Sequence, residues 1–88
     1  MSLIFPNRSR SFDEGRDGVR FSGYDGMFEV RFLIEASALR SIAQTGRTEA
    51  ECLSAFDAAR PAILEAASGV YGRGGKDMYT LTERDIRR

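Results

Sequence analysis

Between Gly18 and Ile34 two alternating runs flank an Asp-Gly pair, and this limits what the chain can fold into more than any other feature. Val19, Phe21 and Gly23 alternate with Arg20, Ser22 and Tyr24. Beyond Asp25-Gly26, Phe28, Val30, Phe32 and Ile34 alternate with Met27, Glu29, Arg31 and Leu33. A side-chain period of two belongs to a strand with one buried face. Asp-Gly suits the type I′ hairpin turn, in which both central residues need positive φ. A two-residue loop at Asp25-Gly26 sets the register, with Val19 opposite Phe32, Phe21 opposite Val30 and Gly23 opposite Phe28. The reverse face then pairs Arg20 with Arg31, Ser22 with Glu29 and Tyr24 with Met27. Two guanidinium groups directly across a sheet repel. Glu29 reaches them only diagonally, so an anion on this face is expected to contact Arg20 or Arg31.

After Ile34 the period changes from two to 3.6. Ala38, Leu39, Ile42 and Ala43 form one apolar stripe, which predicts a helix over residues 36–45 with Gly46 as its terminating residue. Thr48-Glu49-Ala50-Glu51 reads as a capping box, with the Thr48 hydroxyl facing the amide of Glu51. The helix that follows carries Cys52, Phe56, Ala59, Ile63, Ala66 and Val70 at spacings of three and four, widened by Leu53, Leu64, Ala67 and Tyr71. Pro61 interrupts it and is expected to kink it. Gly69, Gly72, Gly74 and Gly75 end the helix. Alternation then resumes over residues 76–82 as a third strand, with Asp77, Tyr79 and Leu81 on one face and Lys76, Met78 and Thr80 on the other. Thr82-Glu83-Arg84-Asp85 repeats the capping pattern and predicts a terminal helical turn that docks Ile86. Leu3-Ile4-Phe5 is a candidate edge strand ended by Pro6, and residues 7–17 read as a polar connection.

Composition narrows the chemistry. At 88 residues the chain is expected to be a single domain over 1–88. Thirteen basic and thirteen acidic residues give zero net charge, so the global positive field that drives non-specific nucleic-acid binding is missing. No apolar run approaches the ~18 residues of a membrane span. There is no histidine and one cysteine, Cys52, which excludes an internal disulfide, histidine-based metal sites and histidine-dependent triads. Gly69 to Asp77 imitates a phosphate loop, but Val70 stands where the first glycine belongs, Asp77 replaces the hydroxyl residue, and the order is helix to strand. Cys52 lies on the apolar stripe and reads as core. Glu49 and Glu51 sit where a helix N-terminus favours negative charge. Asp13, Glu14 and Asp17 lack the spacing of a calcium loop.

Phe5-Pro6-Asn7, Val19-Arg20-Phe21, and Phe28 to Ile34 followed by Ala38-Leu39 resemble a set of short bacterial proteins. So do Phe56, Arg60, Ile63, Ala67 and Tyr71, then Arg73-Gly74 and Tyr79-Thr80-Leu81. These proteins form a domain-of-unknown-function family, number 1488, from which Pro61 and Gly69 depart. The resemblance spans essentially the whole chain. It implies a self-contained bacterial domain and supplies no catalytic residue, cofactor or substrate.

The expected architecture is α+β. A twisted antiparallel sheet of three to four strands, in the order (β)ββααβ, packs one face on two helices. The expected core is Val19, Phe21, Phe28, Val30, Phe32, Ile34, Leu39, Ile42, Phe56, Ile63, Ala67, Val70, Tyr79 and Leu81. The opposite face gathers Arg20, Tyr24, Met27, Glu29, Arg31, Leu33, Lys76 and Met78, a mixed apolar and arginine surface suited to a protein interface. The chain is therefore expected to be a cytoplasmic, non-enzymatic interaction module without a cofactor, binding a protein partner or itself as a homodimer. The alternative is single-stranded nucleic-acid binding by Arg20, Arg31 and Lys76, with Tyr24 stacking on a base.

Overall fold

The computed structural model describes residues 3–6, 8–43, 48–72 and 78–86. Its elements run β1 (Leu3–Ile4), β2 (Ser11–Asp13), β3 (Gly18–Asp25), β4 (Phe28–Glu35), α1 (Ala36–Ala43), α2 (Glu49–Ala58), α3 (Arg60–Tyr71), β5 (Met78–Leu81) and α4 (Glu83–Ile86). The fold is α+β, with the order β1-β3-β4-β5 across the sheet and β2 pairing with β3 beside β1. The expected helix end at Gly46, and the residues Arg73, Gly74, Gly75, Lys76 and Asp77, lie outside the described residues.

The hairpin forms where the alternation places it, but its register differs by two residues. Asp25 pairs with Phe28, so the loop is Gly26-Met27. Gly26 has φ +64° and no positive φ occurs at Asp25 or Met27. A glycine with positive φ in the first loop position, followed by an ordinary residue, is the type II′ solution. Val19 therefore faces Ile34, Phe21 faces Phe32, and Gly23 faces Val30. A shift of two keeps every residue that stays in the ladder on its predicted face and moves Met27 from the outer face into the turn. It removes the direct opposition of Arg20 and Arg31, because Arg20 now faces Leu33 and Ser22 faces Arg31.

Phe32 lies at the centre of the core. It is fully enclosed, stacked on Phe21 at 5.3 Å between ring centroids, and flanked by Phe5 at 5.9 Å and Tyr79 at 5.6 Å. Val19, Val30, Ile34, Leu39, Phe56, Ile63, Ala67, Tyr79 and Leu81 are buried with it, as are Cys52 and the small residues Ala36, Ala38 and Ala55. Ile42 and Val70 pack against this core from its margin. Phe28 is the exception among the predicted core residues. It closes the hairpin beyond the cover of the helices and is 79% exposed.

Three further differences have clear causes. Pro61 divides the predicted long helix instead of kinking it. Ala59, at φ −104° and ψ 14°, separates α2 from α3, and the proline takes a first-turn position in α3 where its missing N–H costs nothing. The last strand, β5, runs parallel to β4, with Phe32 beside Tyr79 and Ile34 beside Leu81. The sheet is thus mixed, because the helices carry the chain back to the starting end of β4 before β5 begins. Residues 11–13, read as connection, form β2 and pair Phe12 with Val19. Elsewhere the sequence signals hold. The Thr48 hydroxyl accepts the Glu51 amide at 3.1 Å, Thr82 donates to Asp85 at the start of α4, and β1 pairs with the end of β3. Among the described residues no helix is long and apolar enough to cross a membrane.

Candidate functional site

The outer face of the sheet takes its shape from how the N-terminal segment reaches it. Leu3–Ile4 pairs with Tyr24 and Asp25, and Ser11–Asp13 pairs with Gly18 to Arg20. Between these two short pairings the chain leaves the edge of β3. Phe5 lies over Gly23, where a side chain would come within 2.7 Å of its ring and 2.8 Å of the Ile4 carbonyl oxygen. The segment then reaches the junction of α2 and α3. Arg60 Nη2 donates to the Arg8 carbonyl at 3.1 Å and to Asp57 at 3.2 Å. Arg10 grips the same Asp57 with two bonds of 2.9 and 2.7 Å. These bonds hold the Asp57 carboxyl below the usual carboxylate range, those from Arg10 being the largest cause. Arg60 is buried, lies 4.9 Å over the Phe56 ring, and leaves its Nε without a hydrogen-bond partner.

This detour opens a cleft of about 250 Å³ on the outer face, bordered by Ser9, Arg10 and Ser11 on one side and by Arg20, Glu29 and Arg31 on the other. Arg20 approaches Asp13 at 3.7 Å, too far for a hydrogen bond. Arg31 is exposed and forms no ion pair among the described residues.

The residues expected to share one interaction surface separate into three environments. Arg20, Glu29 and Arg31 are exposed on the outer face, with Tyr24 and Met78 half-buried beside them. Leu33 is on that face but only 3% exposed, between Arg20 and Thr80 on the neighbouring strands; the stem of an arginine readily covers such a side chain. Met27 is not on the sheet face at all. It occupies the hairpin turn and is 95% exposed. Lys76 lies outside the described residues. Arg10, Ser9 and Ser11 were not anticipated. Their signal is the alternation Arg8-Ser9-Arg10-Ser11 ahead of Phe12, a period-two pattern without the apolar content that marks a strand.

Elsewhere, burial pushes the Cys52 thiol up, away from the reactive thiolate. The Tyr71 hydroxyl donates to Asp25 at 2.5 Å, which raises its pKa. Among the described residues no three cysteine, aspartate or glutamate side chains gather as a metal site.

The family described as a protein of unknown function, DUF1488, matches residues 3–82. The chain belongs to the DUF1488 family. A DUF1488 protein of unknown function from Shewanella loihica PV-4, known as a crystal structure, has the same fold. It superposes with a TM-score of 0.80 over 91% of each chain at 19% identity. No curated protein matches this DUF1488 chain.

Proposed function

We propose that this DUF1488 domain is a non-enzymatic interaction module that docks a second copy of itself through the end of the β3–β4 hairpin. The observation that carries this reading is the exposure there of Met27 at 95%, Phe28 at 79% and Ile4 at 54%. The register brings them to one end of the sheet, with Phe28 opposite Asp25 on the helix-side face, Ile4 opposite Tyr24 on the outer face, and Met27 in the turn between them. Methionine and aromatic residues are enriched at interface cores. A two-fold arrangement sets such a patch against itself, and a chain of zero net charge opposes that approach with no overall repulsion. The reading moves the contact from the outer sheet face to the hairpin end. Absence of histidine and the burial of Cys52 support a non-enzymatic role, and a lone thiol suits the reducing cytoplasm of a bacterium.

Sedimentation velocity over a micromolar concentration series tests it. Wild type should show a concentration-dependent dimer, and Met27→Glu with Phe28→Glu should sediment as monomer. A wild-type monomer throughout the series, or a dimer unchanged by the two substitutions, defeats the proposal.

The convergence of Arg10, Arg20 and Arg31 on one cleft favours a second reading, single-stranded nucleic acid with Tyr24 as a stacking residue. Weighing against it, Asp57 already neutralises Arg10 and Glu29 stands in the cleft wall. An oligonucleotide that fails to shift at low salt removes this alternative.

A further inference from the structure

We propose that the outer-face cleft is an oxyanion site in which Arg20 and Arg31 together hold the carboxylate or phosphate group of a small ligand. This goes beyond the dimer reading, because the cleft and the hairpin end are different surfaces and a strict monomer carries the cleft equally well.

The register supplies the geometry. Ser11 pairs with Arg20, Arg20 with Leu33, and Ser22 with Arg31. Arg20 and Arg31 are therefore diagonal neighbours on one face, with backbones about 7–8 Å apart. That spacing is close enough for both guanidinium groups to reach one anion lying between them, over Ser22. Guanidinium suits this role because its forked donors match the oxygens of a carboxylate or phosphate. Ser11 and Ser22 place hydroxyl donors on the same two rows.

Charge within the cleft is divided unevenly. Arg10 is held by Asp57 through two short bonds, and that carboxylate offsets its charge toward a ligand. Arg20 has only the 3.7 Å approach of Asp13. Arg31 has no ion pair among the described residues, although Glu29 lies two positions away on the same strand face. Glu29 therefore sets the ligand's charge more than it satisfies Arg31. A dianionic phosphate meets more repulsion from it than a carboxylate does. At about 250 Å³ the cleft is smaller than a drug-sized pocket and fits a compact ligand.

The test is an amide-resonance titration of the whole chain at low ionic strength, with succinate in one arm and inorganic phosphate in the other. The expected result is a saturable shift of Ser11, Arg20, Ser22 and Arg31, stronger for succinate. Arg31→Gln should weaken the effective ligand about tenfold, the loss of a charge-assisted contact, and Glu29→Gln should tighten both ligands, phosphate more. Both replaced residues are exposed, so the spectrum away from the cleft should stay in place and report an intact fold. Saturable phosphate binding that exceeds succinate also supports the site and identifies phosphate as the ligand group. Linear shifts with no saturation in either arm, or saturation that Arg31→Gln leaves unchanged, overturn the proposal.

Discussion

Phe28 and Phe32 lie on the same face of the same strand, four residues apart, and the sequence pattern treats them alike. The structure separates them, with Phe32 fully enclosed and Phe28 79% exposed. Replacing Phe32 by alanine removes a ring that touches Phe5, Phe21 and Tyr79 at centroid distances of 5.3 to 5.9 Å. The loss combines transfer of the ring out of the core with the cavity left behind, about 3–5 kcal/mol for a buried phenylalanine. The upper part of that range applies, because β3 and β5 flank the site on both sides and their ladders keep the walls from collapsing. For 88 residues the whole stability is about 4–13 kcal/mol, so this variant should lose from about a third of it to all of it. In the monomer, at concentrations below those of any association, Phe28→Ala should change stability by no more than about 0.5 kcal/mol, as at other exposed positions. Urea denaturation followed by far-ultraviolet circular dichroism measures both. Similar losses for the two variants would refute the assignment of the hairpin end as uncovered, and a negligible loss for Phe32→Ala would refute the core.

Two glycines with open space around them should respond in opposite directions to alanine. Gly26→Ala places a side chain at φ +64° and should cost about 1–2 kcal/mol, whereas Gly69→Ala inside α3 should stabilise by up to about 1 kcal/mol; thermal melts of the two variants read the signs. Asp57 is held below the ordinary carboxylate pKa, so its contribution is fully present above the unfolded value of about 3.9 and is lost as pH falls through the folded value. The stability gap between wild type and Asp57→Asn should accordingly narrow below about pH 4, and a gap independent of pH in urea titrations would contradict the network. Cys52 should resist thiol reagents in the native state and react at the rate of unfolding, and rapid labelling without denaturant would show that it is accessible.

How much the sequence disclosed follows from which quantities side-chain patterns can encode. Alternation encodes parity, so every residue of β3, β4 and β5 took its predicted face even though the hairpin register moved by two. Parity does not say which two residues form the loop when Asp25-Gly26 and Gly26-Met27 both contain the glycine a tight turn needs. Nor does it encode direction, because Tyr79 and Leu81 face the core equally well in a parallel or an antiparallel strand. β2 was illegible because a strand of Ser11, Phe12 and Asp13 has one apolar residue and no period. Pro61 marked the helix break, but whether a proline kinks or divides a helix depends on the packing around Ala59, which is tertiary. The cleft leaves no local sequence signal for a related reason. It is made by a path through space, from Phe5 to the α2–α3 junction and back, and its anchor Asp57 is 47 residues from Arg10.

The divided pairing along β3 has a consequence for how this chain behaves in a crowded solution. An exposed edge strand is a template for another chain's backbone, and a protein of zero net charge has no general repulsion to keep copies apart. Here two strands of two and three residues, Leu3–Ile4 and Ser11–Asp13, occupy that edge with a gap between them. Neither is long enough to offer a continuous ladder to an incoming strand, and among the described residues the opposite edge, Met78–Leu81, is four residues long. Indefinite fibre-like stacking is thereby disfavoured at both sides of the sheet. Association is left to side-chain surfaces, which saturate once filled.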